Sequence, residues 1–354
     1  MNDDIIYYFY LLFLFINNIN NKIMIANDVS ELNDTQILDT IYVINIKQII
    51  KIMINALINY TQISVCGTKH SMGGQSIAKN GYRIDMKYYD KILQTDIDNM
   101  FVTVESGLTW DKLIKHLNKF GMSPMTLQSY STFSIGGSIS VNIHGITNDK
   151  SVGDSIIEML ILTSNLQIVK CSRYHNSELF SLIIGGYGLF GIILIVKLKI
   201  VPNAKYKIIK YNLIVDNFEK QYDIVRTNKN IGIKMCHVNI LTFDEIYLYC
   251  FHTKQSNNII ISNLDDEPNQ MSIYTQFLYK WIFPTQIAQT IRYDIEKNTN
   301  IPFSVSTDKI ERNQIMYESA SSISKLYNIF IDLNQIHILQ EFFIPNINFT
   351  PLHI

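Results

Sequence analysis

The sequence predicts an α+β protein, and two observations support this fold class. Segments with helical spacing and short β-branched runs alternate over residues 37–202, with glycine at several of the junctions. The apolar fraction of 47 % and the charged fraction of 17 % supply enough apolar material for a buried core and exclude disorder as the dominant state. With 15 Gly and 7 Pro in 354 residues, a collagen-like or low-complexity chain is excluded.

Each predicted element follows from a local pattern. Apolar residues recur at helical spacing over residues 47–60. Thr109 is a cap residue ahead of a predicted helix over 110–120, and Gly121 follows this helix as a C-terminal stop. A further short helix is predicted over 176–182. Strands are predicted at residues 41–45, 63–66, 101–105, 157–163, 167–170 and 192–201.

The sequence changes character after Pro202, which predicts a domain boundary there. Residues 204–354 contain few glycines, and their Gly, His and Cys residues do not have the spacing of a binding or catalytic motif. We therefore expect an N-terminal extension over residues 1–36, one domain over 37–203 and a second domain over 204–354.

An apolar run at residues 5–16 lies within the predicted extension. It is about a dozen residues long, whereas a membrane-spanning helix needs about 20. Asn2, Asp3 and Asp4 precede the run, whereas a signal peptide begins with positive charge. Two interpretations stay open: membrane association of this run as an anchor or uncleaved signal, or a docked or loosely ordered extension of a cytoplasmic protein.

The charge and the cysteine content argue against a nucleic-acid partner, a disulfide scaffold and a metal site. Thirty basic and 31 acidic residues give a net charge of −1, so there is no basic excess to neutralise a nucleic-acid backbone. The four cysteines form no CxxC pair, so the sequence predicts neither a disulfide scaffold nor a metal site.

The first candidate binding motif is GTKHSMGGQS at residues 67–76, directly after a predicted strand. Its glycines and small side chains allow successive backbone N–H groups to face an anionic group such as a pyrophosphate. The residue order differs from that of the ATP-binding loop G-x4-G-K-[ST]. The alternative is a glycine-rich surface turn.

Two further glycine motifs occur in the same predicted domain. The sequence SIGGSISVNIHG at residues 134–145 allows a ligand to approach Gly136 and Gly137 closely, and the alternative is a bulged strand. The sequence GYGLFG at residues 186–191 has G-x-G-x-x-G spacing, but a strand-like run follows it where a dinucleotide fold needs a helix. A Rossmann site is therefore excluded, and a tight turn beside a ligand is expected.

These motifs, together with VESGLTWDKLIKHL at residues 104–117, occur in the order and spacing of a known family. Residues 37–202 resemble the FAD-binding domain of the p-cresol methylhydroxylase and vanillyl-alcohol oxidase superfamily. The most similar branch contains aldonolactone and alditol oxidases, cytokinin dehydrogenase and decaprenylphosphoryl-ribose oxidase. The resemblance implies a two-part α+β flavin domain followed by a cap domain. It also implies FAD as the cofactor, with contacts from Gly67, Thr68, Lys69, His70, Ser71, Gln75, Ser129, Ser134, Gly136, Gly137, Ser140, His144, Gly145 and Ile193.

Two histidines of this set carry separate expectations. His70 falls where several relatives have a histidine bonded covalently to the flavin 8α carbon. A neutral imidazole nitrogen is a competent nucleophile, so we expect a covalent flavin through His70. The alternative for His70 is a noncovalent hydrogen-bond donor. For His144, the family's recurring His-Gly step favours a structural role over catalysis.

The second half of the chain resembles the family's cap domain only near its end. ERN at residues 311–313 and ILQEFFIP at 338–345 are similar to a cap segment of the alditol and aldonolactone oxidases. The acidic residue of that segment faces the substrate, which implies Glu341 as a substrate contact; the alternative is a solvent-facing carboxylate. Relatives continue well beyond this segment, so we expect an incomplete cap and a C-terminally truncated member of the family.

The expected reaction follows from the resemblance. It implies oxidation of a CH–OH group of a sugar-derived or polyol-like substrate by hydride transfer to flavin N5, with O2 or another acceptor taking the electrons. The alternative is a catalytically silent protein that binds flavin.

Overall fold

The computed structural model describes residues 24–30, 32–126, 131–146, 150–239, 241–254, 258–264, 285–298 and 309–315. Its mixture of helices and strands confirms the predicted α+β class. The chain divides into two compact units, Met1–Tyr88 and Tyr89–Ile354, which are described in turn. The domain boundary predicted near residue 203 lies inside the second unit and stays a prediction.

The described residues of the first unit form two small sheets and one helix. Two strands, β1 and β2, pair antiparallel, and three strands form a parallel sheet in the order β3-β5-β4. Parallel strands need crossover connections, and helix α1 lies in the connection between β3 and β4. The elements are β1 (Met24–Ala26), β2 (Thr35–Ile37), β3 (Asp39–Tyr42), α1 (Ile46–Ile58), β4 (Ile63–Cys66) and β5 (Tyr82–Asp85).

Helix α1 forms because its sequence combines a cap with one apolar face. The Asn45 side chain accepts a hydrogen bond from the Gln48 backbone N–H at 3.0 Å, which satisfies one free donor of the first turn. The helix predicted over 47–60 is confirmed, with bounds that shift by one or two residues. The face turned to the core carries Ile49, Ile52, Met53 and Ala56.

The second unit begins with a six-stranded antiparallel sheet. Its strands run in the order β10-β9-β11-β7-β6, and β8 pairs with β11, which therefore contacts three strands. The elements are β6 (Ile92–Asp96), β7 (Phe101–Glu105), α2 (Trp110–Asn118), β8 (Met122–Pro124), α3 (Ile135–Ser140), α4 (Val152–Ser155), β9 (Ile156–Leu162), β10 (Ile168–Ser172), α5 (Ser177–Ile183) and β11 (Ile192–Pro202).

The predicted elements of this region are confirmed in position. Helix α2 ends before Gly121, whose φ of +65° is the left-handed conformation expected of a C-terminal stop. The indole N–H of Trp110 donates to Ser138 Oγ at 2.9 Å, which joins α2 to α3 inside the core. The bulged strand considered for residues 134–145 is wrong, because Ser134 caps a short helix there.

The same unit continues with a four-stranded antiparallel sheet in the order β13-β14-β12-β15. Its core is rich in aromatic side chains: Tyr206, Tyr247, Tyr249 and Phe251 are all buried. The elements are β12 (Lys205–Ile214), α6 (Phe218–Arg226), β13 (Ile231–Val238), β14 (Glu245–Lys254), α7 (Gln286–Asn298) and β15 (Lys309–Glu311).

Some predictions fall on residues that lie outside the described ranges. These are the apolar run at 5–16 and the candidate site residues Ser129 and Glu341. Among the helices that the structure does describe, none has the length and apolar character needed to span a bilayer.

Candidate functional site

The loop at residues 67–76 follows β4 directly, as the sequence predicts. At its start the backbone takes the left-handed conformation at Lys69, with φ of +62°, a position that glycine occupies more readily. In the described part of the chain, the backbone N–H groups of Gly67 and Ser71 donate to no protein acceptor. Backbone N–H groups that have no protein acceptor and lie beside small side chains are the donors that an anionic ligand requires.

Lys69 is held in this conformation by a buried carboxylate. Its ammonium lies 2.8 Å from Asp85 Oδ2, and the Asp85 side chain is 1 % exposed. Burial lowers the pKa of Lys69, but the hydrogen bond and the attraction of Asp85 outweigh it, so the pKa is raised above its ordinary value. Arg83 is buried and donates to other groups, Thr40 Oγ1 and the Asn27 carbonyl.

The thiol of Cys66, at the start of the loop, is inert in this environment. Burial and then the negative charge of Asp85 raise its pKa to about 12. The thiol is therefore protonated at neutral pH and is a poor nucleophile or metal ligand.

Asp28 anchors the far end of the loop from another part of the sequence. Its carboxylate accepts hydrogen bonds from Gly74 N at 2.8 Å, Ser30 N at 3.0 Å and Ser30 Oγ at 2.6 Å. Asn33 adds a bond from its side chain to the Met72 carbonyl at 3.1 Å. The sequence analysis missed Asp28 and Asn33, although the run NDVSELND, rich in Asn, Asp and Ser, is typical of turns stabilised by side chains.

Other candidate residues in this loop bond within it. Gln75 Oε1 accepts from Gly73 N at 3.0 Å, and the Ser71 and Ser76 hydroxyls lie 3.2 Å apart. Burial lowers the pKa of His70, which keeps its imidazole neutral at pH 7. A neutral ring nitrogen is the form that can act as a nucleophile.

In the second unit, helix α3 brings the second glycine motif against Ser106. Gly136 N donates to the Ser106 carbonyl at 2.7 Å, and a Cβ at position 136 would lie 2.9 Å from Ser106 Cβ. Gly137 N donates to Ser134 Oγ at 3.3 Å. The N–H groups at this end of α3 already bond to protein atoms, and Ser106 fills the space that a side chain at position 136 would take. Packing therefore explains Gly136, whereas the exposed Gly137 can be approached closely by a ligand.

The third glycine motif packs against the second. Gly185 N donates to the Ile139 carbonyl and Tyr187 N to the Ser140 carbonyl, both at 2.9 Å. The Ser140 hydroxyl donates to the Gly136 carbonyl at 2.9 Å, so it is also used within α3. Strand β11 follows this motif, which confirms that it is not the glycine turn of a Rossmann fold.

The remaining described candidates lie in backbone ladders. His144 forms an isolated β-bridge with Ser151, and Gly145 N donates to the Lys150 carbonyl at 2.7 Å. Ile193 pairs with Ile161 between β11 and β9, beside a bulge of that ladder. These positions are consistent with the structural role expected for His144, and their contact with a cofactor stays a prediction.

Comparison with known proteins shows which proteins part of this chain is similar to. A family described as an FAD binding domain matches residues 40–172. Cytokinin dehydrogenase 2 of Arabidopsis thaliana is 28 % identical over 134 residues, which cover 37 % of this chain and 26 % of the relative. L-gulonolactone oxidase of Bos taurus is 29 % identical over 142 residues, covering 40 % of this chain and 32 % of the relative.

A third relative extends the match. L-galactono-1,4-lactone dehydrogenase, mitochondrial, of Arabidopsis thaliana is 25 % identical over 181 residues, covering 51 % of this chain and 28 % of the relative. In all three comparisons the match spans about a quarter to a third of the relative's length. Residues 40–172 are thus similar to an FAD-binding domain, and FAD-binding oxidoreductases are the class that the resemblance predicted. FAD is the cofactor of this domain.

The described residues fit such a cofactor. The loop at 67–76 has two backbone N–H groups without a protein acceptor among the described residues, which suit a diphosphate, while Lys69 is paired with Asp85 and holds the loop. Gly137 is exposed and has no side chain, so a cofactor can approach its backbone closely, whereas Ser106 fills the space beside Gly136.

Proposed function

We propose that the protein is an FAD-linked oxidoreductase that oxidises a CH–OH group of a sugar-derived or polyol-like substrate. The observation that carries the proposal is the FAD-binding domain over residues 40–172 with a pre-organised glycine loop at 67–76. Two of the relatives are named for lactones of sugar acids, which supports a sugar-derived substrate. When bound, FAD supplies a hydride acceptor at N5 and passes the electrons to O2 or another acceptor.

Each motif has a distinct task in this proposal. In the first unit, Gly67, Thr68 and Ser71 bind the diphosphate, and Lys69 with Gln75 keeps the loop in shape. In the second unit, the exposed Gly137 lets the cofactor approach the backbone of α3 closely, and Ser134, Gly136 and Ser140 are further proposed contacts. Ser129, His144, Gly145 and Ile193 complete the proposed cofactor contacts, and Glu341 orients the substrate alcohol.

The substrate proposal is tested by flavin bleaching. Purified holoprotein is mixed without oxygen with sugar lactones, alditols and simple alcohols, and the visible flavin absorption is followed. Loss of this absorption with a polyol or lactone, and not with simple alcohols, supports the proposal. Bound flavin that no substrate bleaches indicates instead a catalytically silent flavin-binding protein. A purified chain that releases no flavin on denaturation contradicts both.

Replacing His70 by alanine is expected to abolish a covalent flavin adduct. The neutral, half-buried imidazole of His70 is the proposed nucleophile for the flavin 8α carbon. A mass spectrum of the denatured intact chain should show the mass of one flavin in the wild type and none in His70→Ala. His175→Ala, at an exposed position, is the matched control and should keep the adduct. A wild-type chain without added mass would show that the flavin is held noncovalently.

A further inference from the structure

Two tyrosines lie side by side at the edge of the parallel sheet where strands β3 and β5 end. Tyr42 is the last residue of β3, and Tyr88 is the third residue after β5. The centroids of the two rings are 5.7 Å apart, and the ring planes are inclined at 50° to each other. About half of each residue is exposed, 50 % of Tyr42 and 51 % of Tyr88. This tyrosine pair is therefore an accessible aromatic surface on the first unit.

Tyr42 lies on the face of the parallel sheet that helix α1 does not contact. Its register partner in β5 is Asp85, so the two side chains project from the same face of the sheet. Helix α1 contacts the other face, because its Asn55 side chain donates to the hydroxyl of Tyr82 at 3.3 Å. Tyr82 and Asp85 are three positions apart in one strand and therefore project from opposite faces. The helix thus leaves the Tyr42 ring uncovered.

One buried carboxylate connects the tyrosine pair with the glycine loop. Asp85 Oδ2 lies 2.8 Å from the Lys69 ammonium, and Asp85 Oδ1 accepts a hydrogen bond from Lys87 N at 3.0 Å. The Lys69 ammonium lies 5.8 Å from the centroid of the Tyr42 ring, and the Lys87 ammonium lies 5.5 Å from that of Tyr88. Contacts between a cation and a ring face at this range are attractive. The same carboxylate therefore places both the loop and the two rings.

The position of the pair indicates which part of FAD it can meet. The backbone N–H groups proposed for the diphosphate belong to Gly67 and Ser71, and Lys69 lies between them in the loop. The Tyr42 ring, in contact with the Lys69 side chain, is thus only one side chain away from the proposed diphosphate site. FAD has a planar ring at each end of its diphosphate, the flavin and the adenine. Because His70 is the proposed partner of the flavin, the adenine is the ring left for the tyrosine pair, and bases stack favourably on aromatic side chains.

We propose that Tyr42 and Tyr88 bind the adenine ring of FAD by stacking. This inference rests on the proposed function, because it assumes that the diphosphate of FAD binds at the glycine loop. It assigns the tyrosine pair to the adenosine half of the cofactor. It also predicts that the chain selects FAD over FMN, which ends at the first phosphate and has no adenine.

The test measures the affinities for FAD, FMN and ADP in Tyr42→Leu and Tyr88→Leu. All chains, including the parent, carry His70→Ala so that flavin exchanges freely, and calorimetric titration gives the dissociation constants. Leucine keeps an apolar side chain but removes the aromatic face, so each variant should bind FAD about tenfold more weakly. ADP, which has the adenine without the flavin, should also bind about tenfold more weakly. The affinity for FMN should stay within about twofold of the parent, because FMN has no base to stack.

Two kinds of control accompany these variants. Tyr42→Phe and Tyr88→Phe keep the ring and should bind FAD within about twofold of the parent, which separates stacking from loss of the hydroxyl. Tyr174→Leu is the matched control for the substitution itself. Tyr174 is 97 % exposed and lies in the second unit, and its replacement should leave all three affinities unchanged.

Several results would overturn the inference. Unchanged affinity for FAD or ADP in either leucine variant would show that the ring does not contact the adenine. Equal losses of FAD and FMN affinity would show that the rings support the glycine loop or meet the flavin instead. A parent chain that binds FAD no more tightly than FMN overturns the inference without any variant, so the test does not depend on the folding of the leucine variants. A parent chain that binds no FAD overturns the proposed function as well, whereas one that binds FAD confines any failure to the tyrosine pair.

Discussion

Replacing Lys69 by methionine is expected to lower the free energy of unfolding of the first unit by about 3 kcal/mol. Methionine keeps an apolar stem but removes the ammonium that lies 2.8 Å from Asp85 Oδ2. In the described part of the chain this oxygen receives no other hydrogen bond, so the variant leaves a buried carboxylate charge without its cation, with Oδ1 still accepting from Lys87 N at 3.0 Å. Native-state hydrogen exchange of the β5 amides measures the loss, because β5 is the central strand of the parallel sheet.

Two further variants separate the charge effect from backbone strain. Asp85→Asn combined with Lys69→Met removes both charges and should recover most of the lost stability. Lys69→Gly also breaks the ion pair but relieves the left-handed backbone, so it should lose about 1 kcal/mol less than Lys69→Met. Lys47→Met, exposed on α1, is the control and should change stability by less than about 0.5 kcal/mol. A double variant as unstable as Lys69→Met would contradict the view that the unpaired charge of Asp85 causes the loss of stability.

The pH dependence provides a second check on the same variant. Because the pKa of Lys69 is raised in the folded chain, the stability from its charge is fully present below the ordinary lysine value of 10.5. This contribution is lost as the pH rises through the higher folded value. The wild type and Lys69→Met should therefore differ at neutral pH and converge at strongly alkaline pH.

The sequence predicted those elements whose patterns are local. Helix α2 has a cap, an apolar stripe and a stop glycine within a dozen residues, and β11 is a continuous apolar run that ends at Pro202. Such signals act over short distances, so one sequence is enough to locate them. The strands after residue 204 lacked comparably clear boundaries, and only a cap domain was predicted there.

The features that the sequence predicted wrongly or not at all depend on contacts between residues far apart in the chain. Two adjacent glycines are unfavourable within a helix, and α3 forms because Ser134 caps it and Gly136 packs on Ser106. Asp28 meets Gly74 across 46 residues, and Arg312 meets Pro124 across 188. No local pattern marks such pairs, which is why the sequence located the glycine loop at 67–76 but not Asp28, the side chain that holds it.

Replacing Asp28 by alanine should release the loop at 67–76. The change removes the acceptor of Gly74 N–H and of both Ser30 donors, and hydrogen bonds to a charged group contribute more than neutral ones. We expect a loss of about 3 kcal/mol in the stability of the first unit, together with much weaker FAD binding. Hydrogen exchange of peptides covering residues 67–76 measures the release directly, since it reports on Gly74 N–H itself.

Asparagine at position 28 should be nearly as harmful as alanine, although it has almost the same shape. Oδ2 of Asp28 accepts from Gly74 N at 2.8 Å and from Asn33 Nδ2 at 3.1 Å, so an amide NH2 at this place would face two donors. Asp34→Asn is the control, because Asp34 is exposed and, among the described residues, its side chain bonds only to that of Asn27. If Asp28→Asn instead left loop exchange unchanged, the carboxylate charge would have no part in holding the loop. The backbone bond from Val29 to the Lys69 carbonyl would then be its anchor.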